Sequence, residues 1–325
     1  MTDLTLVEDA GKAVTLGCDL VVVGSGAAGA ATADVLAEAG HDVVVVEEGI
    51  HQPLSERREE MLYAMSDLYR DFGAIPARGR SIIPILQARM VGGTTTVNAA
   101  ISWRMPEAVY ERWSRDFGLD KAFSWDELQA SYDWLDRELC VRPVAPEVIG
   151  GVGGLMAKGA RALGISGRVI PRIEKGCKGT NRCLQGCPCG AKLSMERSLL
   201  PRACGHGARI LTSARVTRIT RSGNRATGVS GRLQQSGQPF SVVARKGVVV
   251  AASATGSPVL LQRSRLCNPQ LGRNFRAHPG VGLAGLFDRD VRPWAGATQS
   301  WESAHYWERR FKLESLGLPF GLMLA

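Results

Sequence analysis

The stretch Asp19-Leu20-Val21-Val22-Val23-Gly24-Ser25-Gly26-Ala27-Ala28-Gly29 decides the fold. Four apolar residues after Asp19, three of them β-branched, read as a strand buried on both faces of a parallel sheet. The glycines that follow satisfy G-x-G-x-x-G. Each has a separate physical duty: Gly24 permits the tight turn, Gly26 lets backbone approach a pyrophosphate, and Gly29 lets helix and strand pack closely. Ala27 to Ala39 is Ala-rich and reads as the helix, Gly40 as its stop, and Asp42-Val43-Val44-Val45-Val46 as the second strand. This is a βαβ unit whose helix N-terminus offers N–H groups and partial positive charge to phosphates.

Glu47 lies 21 residues after Gly26, at the end of the second strand. An acid there accepts hydrogen bonds from a ribose hydroxyl. Glu48 is discounted, because successive strand residues point to opposite faces. The fingerprint predicts dinucleotide binding through Gly24, Ser25, Gly26, Ala28, Gly29 and Glu47, and by itself leaves NAD and FAD open.

Working outward, Glu56 to Phe72 reads as a helix, and Val91-Gly92-Gly93-Thr94-Thr95-Thr96-Val97-Asn98 as a second glycine-opened segment. Residues 107 to 140 look helical, with Ser124 a cap for a helix beginning at Trp125. Pro143 to Gly154 reads as a loop or subdomain edge. Residues 208 to 250 alternate, with turns at Ser222-Gly223-Asn224 and Ser236-Gly237-Gln238, which predicts antiparallel strands. Lys246 to Ala252 reads as one more buried strand, leading through Gly256-Ser257-Pro258 into a helix.

The 325 residues carry 45% hydrophobic and 22% charged side chains, an ordinary globular balance with room for about two domains. The net charge of +9 comes from basic residues scattered singly, so it reads as a solvated surface and not a nucleic-acid site. The N-terminus lacks the basic-then-apolar pattern of a secretory signal, and no apolar run is long enough to cross a bilayer. A cytoplasmic location is expected, with peripheral contact at the inner membrane left open. H-E-x-x-H, Walker and G-x-S-x-G patterns do not occur, which argues against metalloprotease, nucleotide hydrolase and α/β-hydrolase.

Four of the eight cysteines, Cys177, Cys183, Cys187 and Cys189, fall within thirteen residues. Cys177-x5-Cys183-x3-Cys187-Pro188 equals the ferredoxin run C-x2-C-x2-C-x3-C-P with Thr180 at the second cysteine. Three readings stay open: an iron–sulfur cluster, a zinc or redox thiol site, and a packed loop of reduced cysteines.

Four segments in order carry a resemblance: Asp19 to Gly49, Val91 to Arg104, Cys187-Pro188-x-Gly190-Ala191-Lys192, and Leu271 to Pro279. Together the chain resembles the glucose–methanol–choline (GMC) oxidoreductases, in the bacterial branch similar to long-chain alcohol oxidases and cholesterol-oxidase-like proteins. The resemblance implies FAD as cofactor and oxidation of a small-molecule alcohol at its CH–OH group, with hydride passing to flavin N5 and a histidine taking the hydroxyl proton. It implies further that Gly92, Gly93 and Thr94 run close to the phosphates and flavin, that Asn98 lies near the isoalloxazine ring, and that backbone at Val216 contacts the adenine. For Asn98 a turn or capping role is the alternative.

The expected class is therefore α/β. A Rossmann-like FAD-binding domain with a parallel sheet and an antiparallel β-meander occupies 15–105 and 195–279. A helical, Cys-rich insertion follows at 106–194, and a mixed α+β substrate domain begins at 280–325. The resemblance also implies a later segment that carries the catalytic histidine, and no residue up to Leu322-Met323-Leu324-Ala325 matches it. His278 reads as structural, and no catalytic residue is assigned. The chain reads as a flavin-dependent alcohol oxidase or dehydrogenase portion, or as an incomplete fragment or subunit that needs a partner chain.

Overall fold

The computed structural model describes residues 3–79 and 82–319. The chain divides into two compact units, one running to Val97 and resuming over Ser194–Leu286, the other holding Asn98–Leu193 and the residues from Phe287 onward. The residues expected as an insertion thus share a unit with those after Phe287, and Leu322 to Ala325 lie outside the described residues.

The first unit is built on a seven-stranded sheet. Its strands are β1 (Leu6–Val7), β2 (Val14–Val23), β3 (Val43–Val46), β4 (Arg209–Leu211), β5 (Ala214–Ser222), β6 (Arg225–Leu233) and β7 (Pro239–Val250). The spatial order is β1-β4-β3-β2-β7-β6-β5. The first five run parallel, and β6 and β5 continue antiparallel as a meander. Helix α1 (Ala27–Glu38) connects β2 to β3 and completes the βαβ unit. The predicted run from Lys246 is the second half of β7 and not a strand of its own.

Val21, Val22, Val43, Val44 and Val45 have no exposed surface. Burying a valine contributes about 1.5–3 kcal/mol, so this run anchors the sheet. α1 packs on the helix Leu199–Gly205, where buried Asp34 receives Arg202 Nε at 3.1 Å. Gly40 ends the α1 segment with φ +82, a conformation a Cβ would strain.

Two expected elements differ. The helix expected over Glu56 to Phe72 is confined to Met61–Asp67, because Tyr69 makes a strand-like bridge to Ala88 and Asp71 and Phe72 take left-handed backbone. The loop expected over Pro143 to Gly154 instead starts a helix, Gly150–Ala162, in the second unit. Its glycines are packing devices: a Cβ at Gly151 would stand 2.1 Å from Val291 O, and one at Gly153 2.1 Å from Ser300 Oγ. The helices Glu107–Phe117 and Trp125–Glu138 are present, and Ser124 and Glu127 form a reciprocal capping box. Among the described residues no helix is long and apolar enough to cross a membrane.

Candidate cofactor site

The glycine turn is built as its spacing demands. Gly24 has φ +101, and a Cβ there would lie 2.5 Å from Ala251 O. A Cβ on Gly29 would lie 1.9 Å from Gly24 O, so α1 can cross its strand this closely only without a side chain. Gly26 differs, since a Cβ built on it meets nothing within 4 Å. It is the N-cap residue of α1, no side chain caps it, and no acid lies in the first turn. Ala27 and Ala28 are exposed beside it. The first-turn N–H groups of a helix lack intrahelical partners, so this cradle fits a diphosphate in both space and charge.

Ser25 is fully buried and ties three segments together. Its N–H and Oγ–H donate to Glu47 Oε2 at 2.9 and 2.6 Å, and its Oγ accepts from Gly92 N–H at 3.0 Å. Glu47 Oε1 accepts from Gly49 N–H at 2.8 Å. The acid predicted to grip a ribose is thus fastened first to the glycine turn itself. Burial pushes its carboxyl above the usual carboxylate range, opposed by the bonds from Ser25 and Gly49. Glu48 instead takes the fork of Arg70 at 3.2 and 2.8 Å.

The second glycine segment lies against the first. Gly92 and Gly93 have φ +93 and +54, and a Cβ on Gly93 would stand 2.9 Å from Gly26 Cα. Thr94 is exposed, its Oγ1 accepting from Ala88 N–H at 3.2 Å, while Thr95 Oγ1 donates to Gly92 O at 2.6 Å. Val216 lies on the edge strand β5, paired with Gly231 and beside a register shift. Asn98 belongs to the second unit, where its Oδ1 accepts from Ala100 N–H at 3.0 Å and its backbone O accepts from Lys192 Nζ at 2.8 Å. The Ala100 bond closes a short turn on the Asn98 side chain.

One buried network escaped sequence reading. Arg57 Nη2 donates to Glu196 Oε1 at 2.9 Å with both side chains 2% exposed. Ser194 Oγ donates to the same oxygen at 2.8 Å, and Thr96 Oγ1 to Oε2 at 3.4 Å. A Cβ on Gly92 would come within 2.4 Å of Glu196 Oε2, so the carboxylate props the second glycine segment from beneath. Nothing in the spacing of residues 57 and 196 announces this pair.

The cysteines do not assemble as a metal centre: among the described residues no three His, Cys, Asp or Glu side chains converge on a metal position. Cys183 is occupied by Arg172 Nη2 at 2.9 Å, and Thr180 stands where a second ligand is needed. His278 is exposed on a segment without regular structure.

The second unit holds a recess of about 670 Å³ lined by residues including Trp103, Arg104, Asp136, Arg168 and Glu302. Arg168 Nε and Trp103 Nε1 both donate to Glu302, and Arg104 bridges Asp133 and Asp136. Its charged residues are largely paired with one another, and Trp103 is the aromatic residue in its lining.

A family model described as GMC oxidoreductase matches residues 18–280. The chain belongs to the GMC oxidoreductase family. An uncharacterised GMC-type oxidoreductase of Mycobacterium tuberculosis is 43% identical to this GMC chain over 300 residues, which is 92% of the chain and 47% of the relative. A long-chain-alcohol oxidase of Arabidopsis thaliana is 30% identical over 285 residues, 85% of this chain and 38% of that one. Among solved structures, an FAD-dependent oxidoreductase from Chaetomium thermophilum superposes with TM-score 0.56 at 20% identity, covering 76% of this chain and 47% of that one. Pyridoxine 4-oxidase from Mesorbium loti gives 0.55 at 18%, covering 76% and 52%. These structures share the fold of this GMC chain. The chain spans about half the length of the curated relatives it matches.

Proposed function

We propose that this chain is the FAD-binding part of a GMC oxidoreductase that oxidises the CH–OH group of an alcohol. The observation that carries the reading is the uncapped, side-chain-free start of α1 at Gly26, with Glu47 one strand over and Gly92-Gly93 alongside. The match to a GMC family model and the likeness to a long-chain-alcohol oxidase support the reaction class. The fold shared with the FAD-dependent oxidoreductase of Chaetomium thermophilum supports that cofactor over NAD.

In this reading the Gly26 backbone and the first-turn N–H groups of α1 hold the diphosphate. Glu47, already oriented by Ser25 and Gly49, uses its remaining lone pairs for the adenosine ribose hydroxyls. Gly92 and Gly93 keep backbone close to phosphate and flavin, with Thr94 beside them. Val216 offers edge-strand backbone to the adenine, and Asn98 adjoins the flavin. Bound FAD supplies the hydride acceptor, N5.

A second reading concerns completeness. Val281, Leu283 and Leu286 are each at least 90% exposed along an extended segment. Apolar side chains spaced this closely are ordinarily covered. The base that takes the alcohol proton would then come from a polypeptide outside these 325 residues that also buries this segment.

The purified chain is expected to be yellow, with flavin absorption bands and stoichiometric FAD on extraction; a colourless, nucleotide-free protein that cannot be loaded with FAD would overturn the assignment. Turnover of medium- and long-chain alcohols with a dye acceptor is expected to be near background for the chain alone, and to rise when the remaining half of a relative is co-expressed. Glu47→Gln, which keeps shape but replaces one acceptor oxygen with a donor, is expected to weaken FAD about tenfold, read by fluorescence titration.

A further inference from the structure

The segment Cys187-Pro188-Cys189 lies in the second unit and plays no part in the dinucleotide site. Its backbone is a tight turn: Gly190 N–H donates to Cys187 O at 2.8 Å, with Pro188 at the position whose fixed φ favours such turns. Cys187 has φ +51, a left-handed conformation that few residues with a Cβ adopt. The curl turns both side chains to one side, and the Sγ atoms meet at 3.7 Å.

The two thiols have unlike surroundings. Cys187 is buried and its Sγ accepts from Lys192 N–H at 3.3 Å, whereas Cys189 is only partly covered. Cys183, the other thiol nearby, is engaged by Arg172, whose side chain is itself buried.

We propose that Cys187 and Cys189 form a reversible dithiol–disulfide couple, with Cys189 the residue that reacts with a hydroperoxide and Cys187 the one that resolves it. The Cys189 thiolate attacks one peroxide oxygen, forming an S–O bond as the O–O bond breaks. The departing oxygen takes up a proton and leaves as water from hydrogen peroxide, or as an alcohol from an organic hydroperoxide. Cys187 sulfur then attacks the sulfenic sulfur, forming the S–S bond as the S–O bond breaks, and its thiol proton leaves with that oxygen as water. The two thiols lose two electrons and the peroxide gains them. Closure requires the sulfurs to move from 3.7 Å to about 2.05 Å, a side-chain adjustment within a turn that already holds them together. The direction of attack follows from access: Cys189 is the partly exposed member and Cys187 the buried one, and their contact lowers Cys189 below the ordinary thiol range while that contact and burial push Cys187 up. Thiolates and not thiols are the nucleophiles, so the accessible member of the pair is also the reactive one.

The test uses the whole chain, reduced, desalted and treated with hydrogen peroxide before alkylation and peptide mapping. The tryptic peptide Cys183 to Lys192 is expected to lose two hydrogens and carry a single alkyl label on Cys183, with the change reversed by dithiothreitol. Cys189 is expected to oxidise at least about tenfold faster than the exposed Cys267, which serves as the internal reference. Cys187→Ser is expected to leave Cys189 as a sulfenic acid trapped by dimedone, and Cys189→Ser to abolish trapping at either position. Full alkylation of both cysteines after Cys267 has been oxidised would overturn the proposal, as would a bridge to Cys183 or Cys177. The mapping of the unmodified sequence decides the matter even where a variant folds poorly.

Discussion

Valine at position 26 is expected to empty the flavin site and leave the fold standing, whereas valine at position 29 is expected to damage both. The contrast follows from where each Cβ would go. At Gly26 it enters open space at the mouth of the helix, so the folded chain tolerates it and a diphosphate does not. FAD affinity should fall at least about tenfold, with circular dichroism and the melting temperature of the cofactor-free protein close to those of the parent. At Gly29 the Cβ would sit 1.9 Å from Gly24 O, and no rotamer relieves a clash with backbone. Overpacking of this kind costs about 3 kcal/mol or more, so a melting temperature lowered by several degrees is expected together with loss of flavin. Full FAD occupancy in Gly26→Val protein would sink the assignment of the cradle. An unaltered melting temperature in Gly29→Val would show that helix and strand are less tightly joined than the geometry requires.

Arg57→Met is the second large effect. It removes the guanidinium from a pair in which both side chains are 2% exposed, leaving the Glu196 carboxylate buried with Ser194 and Thr96 but no cation. Breaking such a pair from one side costs about 3–5 kcal/mol, because the surviving charge has lost its compensation. Adding Glu196→Gln to Arg57→Met is expected to recover a large part of that loss, since an amide is far cheaper to bury than a lone carboxylate. Because Glu196 lies directly beneath Gly92, the single variant should also loosen flavin, and the double variant should restore stability more fully than affinity. A loss below about 1 kcal/mol for Arg57→Met would mean that the pair is not desolvated as the geometry requires.

What could be read from residues alone was local. The turn at Gly24, the close crossing at Gly29, the open position at Gly26 and the cap at Ser124 all follow from rules that span a few residues. What could not be read depends on partners distant in the chain. Gly150–Ala162 looks like a helix breaker until Val291 and Ser300 supply the surfaces that its glycines fit. Residues 69 to 72 have an unremarkable helical composition, yet Ala88 and Gln87 draw Tyr69 and Arg70 into extended pairing. Spacing points to Glu47, but its bonds to Ser25 and Gly49 depend on a turn that periodicity does not describe. The cysteine run matched a ligand pattern by count, while Arg172 and the missing second thiol divert it from that use.

Strand β7 carries a consequence for biosynthesis. It pairs with β2 from Val14 to Val23 while its other edge holds the meander, and Ala251 directly after it closes over Gly24. Residues delivered more than 220 positions late therefore seal one flank of the first strand of the nucleotide-binding unit. A nascent chain that emerges vectorially keeps an apolar valine ladder uncovered until β7 has been made, with slow closure and exposure to self-association as the cost. Ribosome-bound chaperones, low temperature and slow synthesis should thus raise the yield of this protein more than any stabilising change on its finished surface.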